Sequence, residues 1–111
     1  VDSRALIPRG DTEVLVEQAV AFLSPVSRRK RPVVLEMGTG SGAVAVALAR
    51  EIPDILLIAT DISREALLLA RKNAGRAGGS KQVLFVRGDL LHPFQAGEGR
   101  ESFDLILSNP P

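Results

Sequence analysis

The chain has 111 residues, enough for one domain with a single modest core. Its 45% hydrophobic and 24% charged residues match a folded chain and exclude a disordered tail. A net charge of +1 gives no overall pull toward nucleic acid or membrane, and the lack of cysteine excludes disulfide frameworks and thiolate metal sites and agrees with a cytoplasmic protein.

Taken in chain order, helical and strand-like segments alternate. Thr12–Leu23 carries apolar residues at Val14, Leu15, Ala19, Phe22 and Leu23, with Asp11 as the expected N-cap and Ser24-Pro25 as the expected stop. The basic run Arg28–Arg31 reads as a solvated loop. Pro32–Met37, Ile55–Thr60, Val83–Val86 and Phe103–Leu107 are short aliphatic runs of the kind buried on both faces of a parallel sheet. Gly42–Arg50 and Arg64–Arg76 are the helices between them. Ser63 is expected to cap the second of these, and Gly75, Gly78 and Gly79 to close it. This alternation predicts βαβ units in a single α/β domain spanning residues 1–111. Gly97–Arg100 reads as an exposed turn. No apolar run approaches the roughly 20 residues of a membrane helix, nothing reads as a signal peptide, and no His, Cys or carboxylate group has metal-ligand spacing. His92, the lone histidine, is read as incidental. The chain ends at Ser108-Asn109-Pro110-Pro111, directly after an apolar run, and is read as a fragment.

The most informative segment runs from Leu35 to Ala43, where the first aliphatic run turns into a helix: Glu36-Met37-Gly38-Thr39-Gly40-Ser41-Gly42. Glycines at alternate positions let a ligand approach the backbone, and the turn delivers it to the start of the following helix. A Walker loop is excluded because no Gly-Lys-Ser/Thr follows. Gly38-x-Gly40-x-x-Ala43 satisfies the loose dinucleotide fingerprint. Glu36 argues the other way, since a carboxylate there repels a pyrophosphate and suits a cation. With Gly42, the segment resembles the acidic-x-Gly-x-Gly-x-Gly pattern of class I methyltransferases. Their S-adenosylmethionine carries an ammonium and a sulfonium. The expected cofactor set on this loop is Glu36, Gly38, Thr39, Gly40, Ser41 and Gly42. Asp61, at the end of the second aliphatic run, suits a pair of ribose hydroxyls, as it would in either cofactor family, and would equally cap the helix after it. Ile62 beside it is counted in the same set. By the resemblance, Asp89 meets the adenine amino group and Leu90 packs near the ring.

Asn109-Pro110-Pro111 follows the last aliphatic run. An amide nitrogen is a poor nucleophile because its lone pair is delocalised. Two acceptors holding its hydrogens orient it and return density to it. The Asn109 side-chain oxygen and the Pro110 carbonyl suit that task, held by proline's fixed φ. The motif resembles the Asn-Pro-Pro-Tyr class of amino and amide methyltransferases and does not separate a glutamine amide from an adenine amino group. The resemblance assigns Asn109 and Pro110 to catalysis, Asn109 also to the cofactor, and Asn109, Pro110 and Pro111 to substrate.

The whole chain is similar, in register, to release-factor glutamine methyltransferases (the HemK/PrmC family): IPRGDTE, LEMGTGSGAVAVALA, ATDIS with ALLLARKNA, VRGDL and FDLILSNPP. Gly10 stands where proline is usual, and Glu36 where aspartate is. The resemblance implies a Rossmann-like class I methyltransferase sandwich with its first four parallel strands in the order three, two, one, four. It also implies S-adenosylmethionine as cofactor and, for the intact cytoplasmic enzyme, methylation of the glutamine in the Gly-Gly-Gln motif of peptide-chain release factors, with neither metal nor membrane involved. A nucleic-acid adenine methyltransferase is the rival enzyme, opposed by the missing basic patch; a non-catalytic cofactor-binding fragment is the rival of another class. In that strand order Phe103–Leu107 is a free edge, so the chain alone is expected to self-associate and to be inactive.

Overall fold

The computed structural model describes residues 6–7, 12–79, 81–88 and 103–108. Among these residues three helices and five strands follow in the order β1 Leu6–Ile7, α1 Thr12–Ser27, β2 Val33–Met37, α2 Ala43–Glu51, β3 Leu56–Asp61, α3 Arg64–Ala77, β4 Val83–Arg87 and β5 Leu105–Ser108. All four strand pairings are parallel, in the sheet order β1-β5-β2-β3-β4. The four strands read from the sequence therefore lie three, two, one, four, as expected of the class I sandwich.

The helices form because their apolar residues recur on one side. In α1 the buried residues are Leu15, Val16, Ala19, Leu23 and Val26. In α3 they are Leu67, Ala70 and Ala74. Ser63 caps α3 as expected, its hydroxyl accepting from the Ala66 N–H at 3.1 Å, and Gly78 rather than Gly75 ends the helix. The main core lies between the helices and the sheet face bearing Val34, Leu57, Ala59, Leu105 and Leu107. Leu35 and Ile106 form a smaller cluster on the other face, with Met37, Ile58 and Phe103 against them.

Three expectations need correction. Helix α1 does not stop at Ser24-Pro25 but runs to Ser27. A proline loses one helical N–H and crowds the carbonyl four residues back, a cost confined here to the last turn. Burial of Val26 draws that turn onto the core, and the Val26 carbonyl closes it by accepting from the Arg29 and Lys30 N–H groups at 3.0 Å. On the same helix Val14, expected on the apolar face, is 50% exposed, and Val16 takes the inward position. Finally, β5 is not a free edge. Leu6 and Ile7 pair with Ile106 and Leu107, satisfying the ladder that self-association was expected to exploit. The signal was Leu6-Ile7 itself, an aliphatic pair ahead of the first helix.

Register fixes where the site falls. Asp104 opens β5: its N–H donates to the Val33 carbonyl, and its Oδ2 accepts from the Val33 N–H, both at 2.8 Å. The other oxygen meets Lys30 Nζ at 2.9 Å. This two-way link aligns Leu105 with Val34 and brings Ser108 opposite Met37, so β5 and β2 finish together. Among the described residues no helix is long and apolar enough to cross a membrane.

Candidate functional site

Because all strands are parallel, the ends of β2, β3, β4 and β5 share one edge: Met37 pairs with Thr60 and Ser108, and Asp61 with Arg87. The Gly38–Gly42 loop leaves β2 at that edge. Ligands of open α/β sheets bind at this position, outside the carboxyl ends of the strands.

The loop is held from below and from the side. Gly38 and Thr39 both donate their N–H to the Thr60 carbonyl at 2.9 Å, and the Thr60 hydroxyl returns a bond to the Glu36 carbonyl at 3.1 Å. Gly40 N–H donates to Asp61 Oδ2 at 2.9 Å, and Gly42 N–H to the Thr39 carbonyl at 2.9 Å. Asn73 on α3 donates from Nδ2 to the Ser41 carbonyl at 2.8 Å.

Two glycines play different parts. Gly42 has φ +82°, and an added Cβ would sit 2.9 Å from Ala70 Cβ, so its lack of a side chain lets the start of α2 touch α3. Gly40 has φ +56°, and an added Cβ would meet nothing within 4 Å among the described residues. Among the described residues the loop is thus open beside Gly40, whereas Gly42 is a packing glycine.

The carboxylates also divide the work. Glu36 is fully buried, and its Oε1 accepts from the Thr39 hydroxyl at 2.7 Å. A buried carboxyl group needs such partners, and this one anchors Thr39 in the loop. Asp61 is half-buried at the mouth: Oδ1 accepts from the Ser63 N–H and Oδ2 from the Gly40 N–H, each at 2.9 Å. Asp61 does not itself cap α3, whose N-cap is Ser63; it bonds the N–H of that cap residue and the N–H of Gly40 in the loop. Each oxygen keeps a lone pair for a further donor such as a hydroxyl. Ile62 beside it is 68% exposed, an apolar side chain at the rim, and Arg87 Nε bonds its carbonyl at 3.2 Å. Gly88 N–H donates to the Asp61 carbonyl at 3.0 Å, tying the end of β4 to the same edge.

The structure thus gathers Glu36, Gly38, Thr39, Gly40, Ser41, Gly42, Asp61 and Ile62 at the carboxyl ends of β2 and β3. Asp89, Leu90, Asn109, Pro110 and Pro111 lie outside the described residues, as does Asp11. Sequence reasoning missed Thr60 and Asn73. The signal for Asn73 was a polar residue within the apolar face of α3; for Thr60 it was a hydroxyl closing an aliphatic strand. Among the described residues no group of three or more His, Cys, Asp or Glu is placed to hold a metal ion.

The residues at this edge fit S-adenosylmethionine. Among the described residues open space beside Gly40 admits a ligand to the backbone, and the half-buried Asp61 carboxylate at the mouth suits ribose hydroxyls and a cationic group.

A family model described as methyltransferase small domain matches residues 12–111. A release factor glutamine methyltransferase of Xylella fastidiosa (strain 9a5c) is 49% identical over the whole of this chain and 38% of its own length. One of Chlorobaculum tepidum is 42% identical, with the same coverage of both chains. The chain therefore spans well under half the length of these relatives. Among solved structures, an RNA methyltransferase from Salinibacter ruber in complex with S-adenosyl-L-homocysteine is similar with a TM-score of 0.60 and 25% identity, over 77% of this chain and 52% of that one.

Proposed function

The chain belongs to the methyltransferase small domain family, and from that premise we propose that the intact protein methylates the side-chain amide of the glutamine in the Gly-Gly-Gln motif of peptide-chain release factors, using S-adenosylmethionine. The observation that carries the reading is the Gly38–Gly42 loop, bound to Asp61 and underlain by Glu36 at the carboxyl edge of a parallel sheet. The choice of substrate is supported by the relatives of 49% and 42% identity, which carry that activity in their names. A cytoplasmic site of action goes with that substrate.

When bound, the cofactor supplies an electrophilic methyl group on a sulfonium. The chain's residues bind and orient. Asp61 accepts the ribose hydroxyls while keeping hold of Gly40, Ile62 offers its exposed side chain to the base, and Asp89 and Leu90 complete the adenine contacts. The Asp61 carboxylate at the mouth of the loop favours a cation there. Asn109 Oδ1 and the Pro110 carbonyl accept the two hydrogens of the target nitrogen and aim its lone pair, with Pro111 stiffening the segment. The cofactor's sulfur–methyl bond would break as the nitrogen–carbon bond forms, leaving a neutral thioether, and the nitrogen's surplus proton would pass to solvent, so no strong base is needed. Rate comes from positioning.

The test is methyl transfer by the intact protein from labelled S-adenosylmethionine, offered a release factor, the same factor with its Gly-Gly-Gln glutamine replaced by alanine, and adenine-rich DNA and RNA. Label on the unaltered factor alone is the expected result. Label on nucleic acid alone would overturn the substrate in favour of an adenine amino group.

A further inference from the structure

The Gly38–Gly42 loop is a chain of planar peptide units, and a peptide plane is fixed when both its N–H and its C=O are bonded. The Thr39–Gly40 unit meets that condition: its C=O accepts from Gly42 N–H, and its N–H donates to Asp61. The Ser41–Gly42 unit meets it too. Its N–H donates to the Thr39 carbonyl at 2.9 Å, and its C=O accepts from Asn73 Nδ2 at 2.8 Å. Among the described residues the Gly40–Ser41 unit between them makes no hydrogen bond. It lies beside the open space at Gly40.

One of the two clamps is Asp61, already assigned to the ligand. The other is Asn73, which comes from α3 and from 32 positions along the chain. Its place is well defined, because Ala70, one turn earlier, lies against Gly42 and fixes the spacing of α3 to the loop. The bond lies at the surface, between exposed Ser41 and half-buried Asn73, so its effect is to orient the Ser41–Gly42 peptide rather than to offset a burial cost.

We infer that Asn73 is a positioning residue for cofactor binding. By fixing the Ser41–Gly42 peptide from α3, it holds the neighbouring Gly40–Ser41 peptide ready for the ligand. The inference rests on the proposed cofactor reading and adds a residue whose role is exerted through the loop rather than by touching the ligand. It also makes α3 part of the binding apparatus, so that movement of α3 against α2 changes affinity.

The experiment measures S-adenosylhomocysteine affinity by calorimetry, together with apo melting temperature, for the intact protein and three variants. Asn73→Asp keeps the shape, removes the donor and sets a carboxylate against the Ser41 carbonyl. Asn73→Ala removes the donor alone. Lys72→Ala is the neighbouring control, exposed and outside the loop. Expected are at least tenfold weaker binding for Asn73→Asp, roughly three- to tenfold for Asn73→Ala and no change for Lys72→Ala. A general electrostatic effect would have the opposite sign in Asn73→Asp, since added negative charge favours an ammonium-bearing ligand. Amide exchange at Gly42 should quicken in both Asn73 variants, with melting temperatures within a few degrees of the parent. Unchanged affinity in both, with the parent binding normally, would overturn the role of Asn73 and leave the cofactor reading intact. Failure of the parent to bind would overturn both.

Discussion

Consider Gly42→Ala beside Gly40→Ala. The Cβ added at position 42 would lie 2.9 Å from Ala70 Cβ and 3.1 Å from Ala70 Cα, the latter on a helix backbone that cannot swing aside. Left-handed backbone costs a residue with a Cβ about 1–2 kcal/mol, and overfilling a packed contact typically costs about 1–3 kcal/mol. Loss of unfolded-state freedom returns less than about 1 kcal/mol. Gly42→Ala should therefore destabilise the protein by on the order of 2–4 kcal/mol, a large share of a domain's stability. At Gly40, with nothing within 4 Å among the described residues, only the conformational cost of about 1–2 kcal/mol applies. Yet the added methyl would occupy the space assigned to the ligand. Urea denaturation of the two apo variants, with S-adenosylhomocysteine titrations under folded conditions, separates the effects. Gly42→Ala should lose stability first, whereas Gly40→Ala should stay folded and lose most of its affinity, tenfold or more. Near-normal stability in Gly42→Ala would refute the assigned packing. Undiminished binding in Gly40→Ala would refute the location of the ligand.

Asp61→Ala should weaken S-adenosylhomocysteine binding by on the order of 1.5–3 kcal/mol, as expected for hydrogen bonds to a charged group. Unchanged calorimetric affinity in a folded variant would leave Asp61 only its bonds to Gly40 and Ser63. Thr39→Val removes the hydroxyl donor to the buried Glu36 carboxylate and should cost about 1–3 kcal/mol in denaturant titration, most of it restored in Thr39→Ser. Equal stability of the Val and Ser variants would count against that bond. Asn109→Ala in the intact protein should abolish methylation of a release factor while cofactor affinity stays within a few-fold. Near-normal turnover would remove Asn109 from catalysis.

The sheet was legible because its strands are short, mostly aliphatic runs: Pro32–Met37 and Ile55–Thr60 stand out by composition, and Gly38, Gly40 and Gly42 mark the turn after the first. Helix boundaries were legible where a cap was local, as at Ser63, whose partner Ala66 is three residues away. They failed at Pro25, where the deciding influence is burial of Val26, a tertiary fact. Leu6–Ile7 escaped notice because two residues carry no periodicity; their pairing depends on an edge formed by β5 about a hundred residues later. In the site, the glycines and carboxylates stood out by type and spacing. What each does was hidden: Gly40 and Gly42 look alike in sequence, and only the approach of Ala70 tells them apart. The links from Thr60 and Asn73 join distant parts of the chain, so neither residue looked functional by itself.

The central claim is that S-adenosylmethionine binds at the loop between β2 and α2, and backbone amide shifts of the intact protein during S-adenosylhomocysteine titration test it most directly. Large shifts are expected at Gly40, Ser41, Gly42, Asp61 and Ile62, with little change at Val33 and Asp104 at the opposite ends of the strands, and no response to NAD. Saturable shifts with NAD, or shifts centred on the Asp104 end of the sheet, would contradict it.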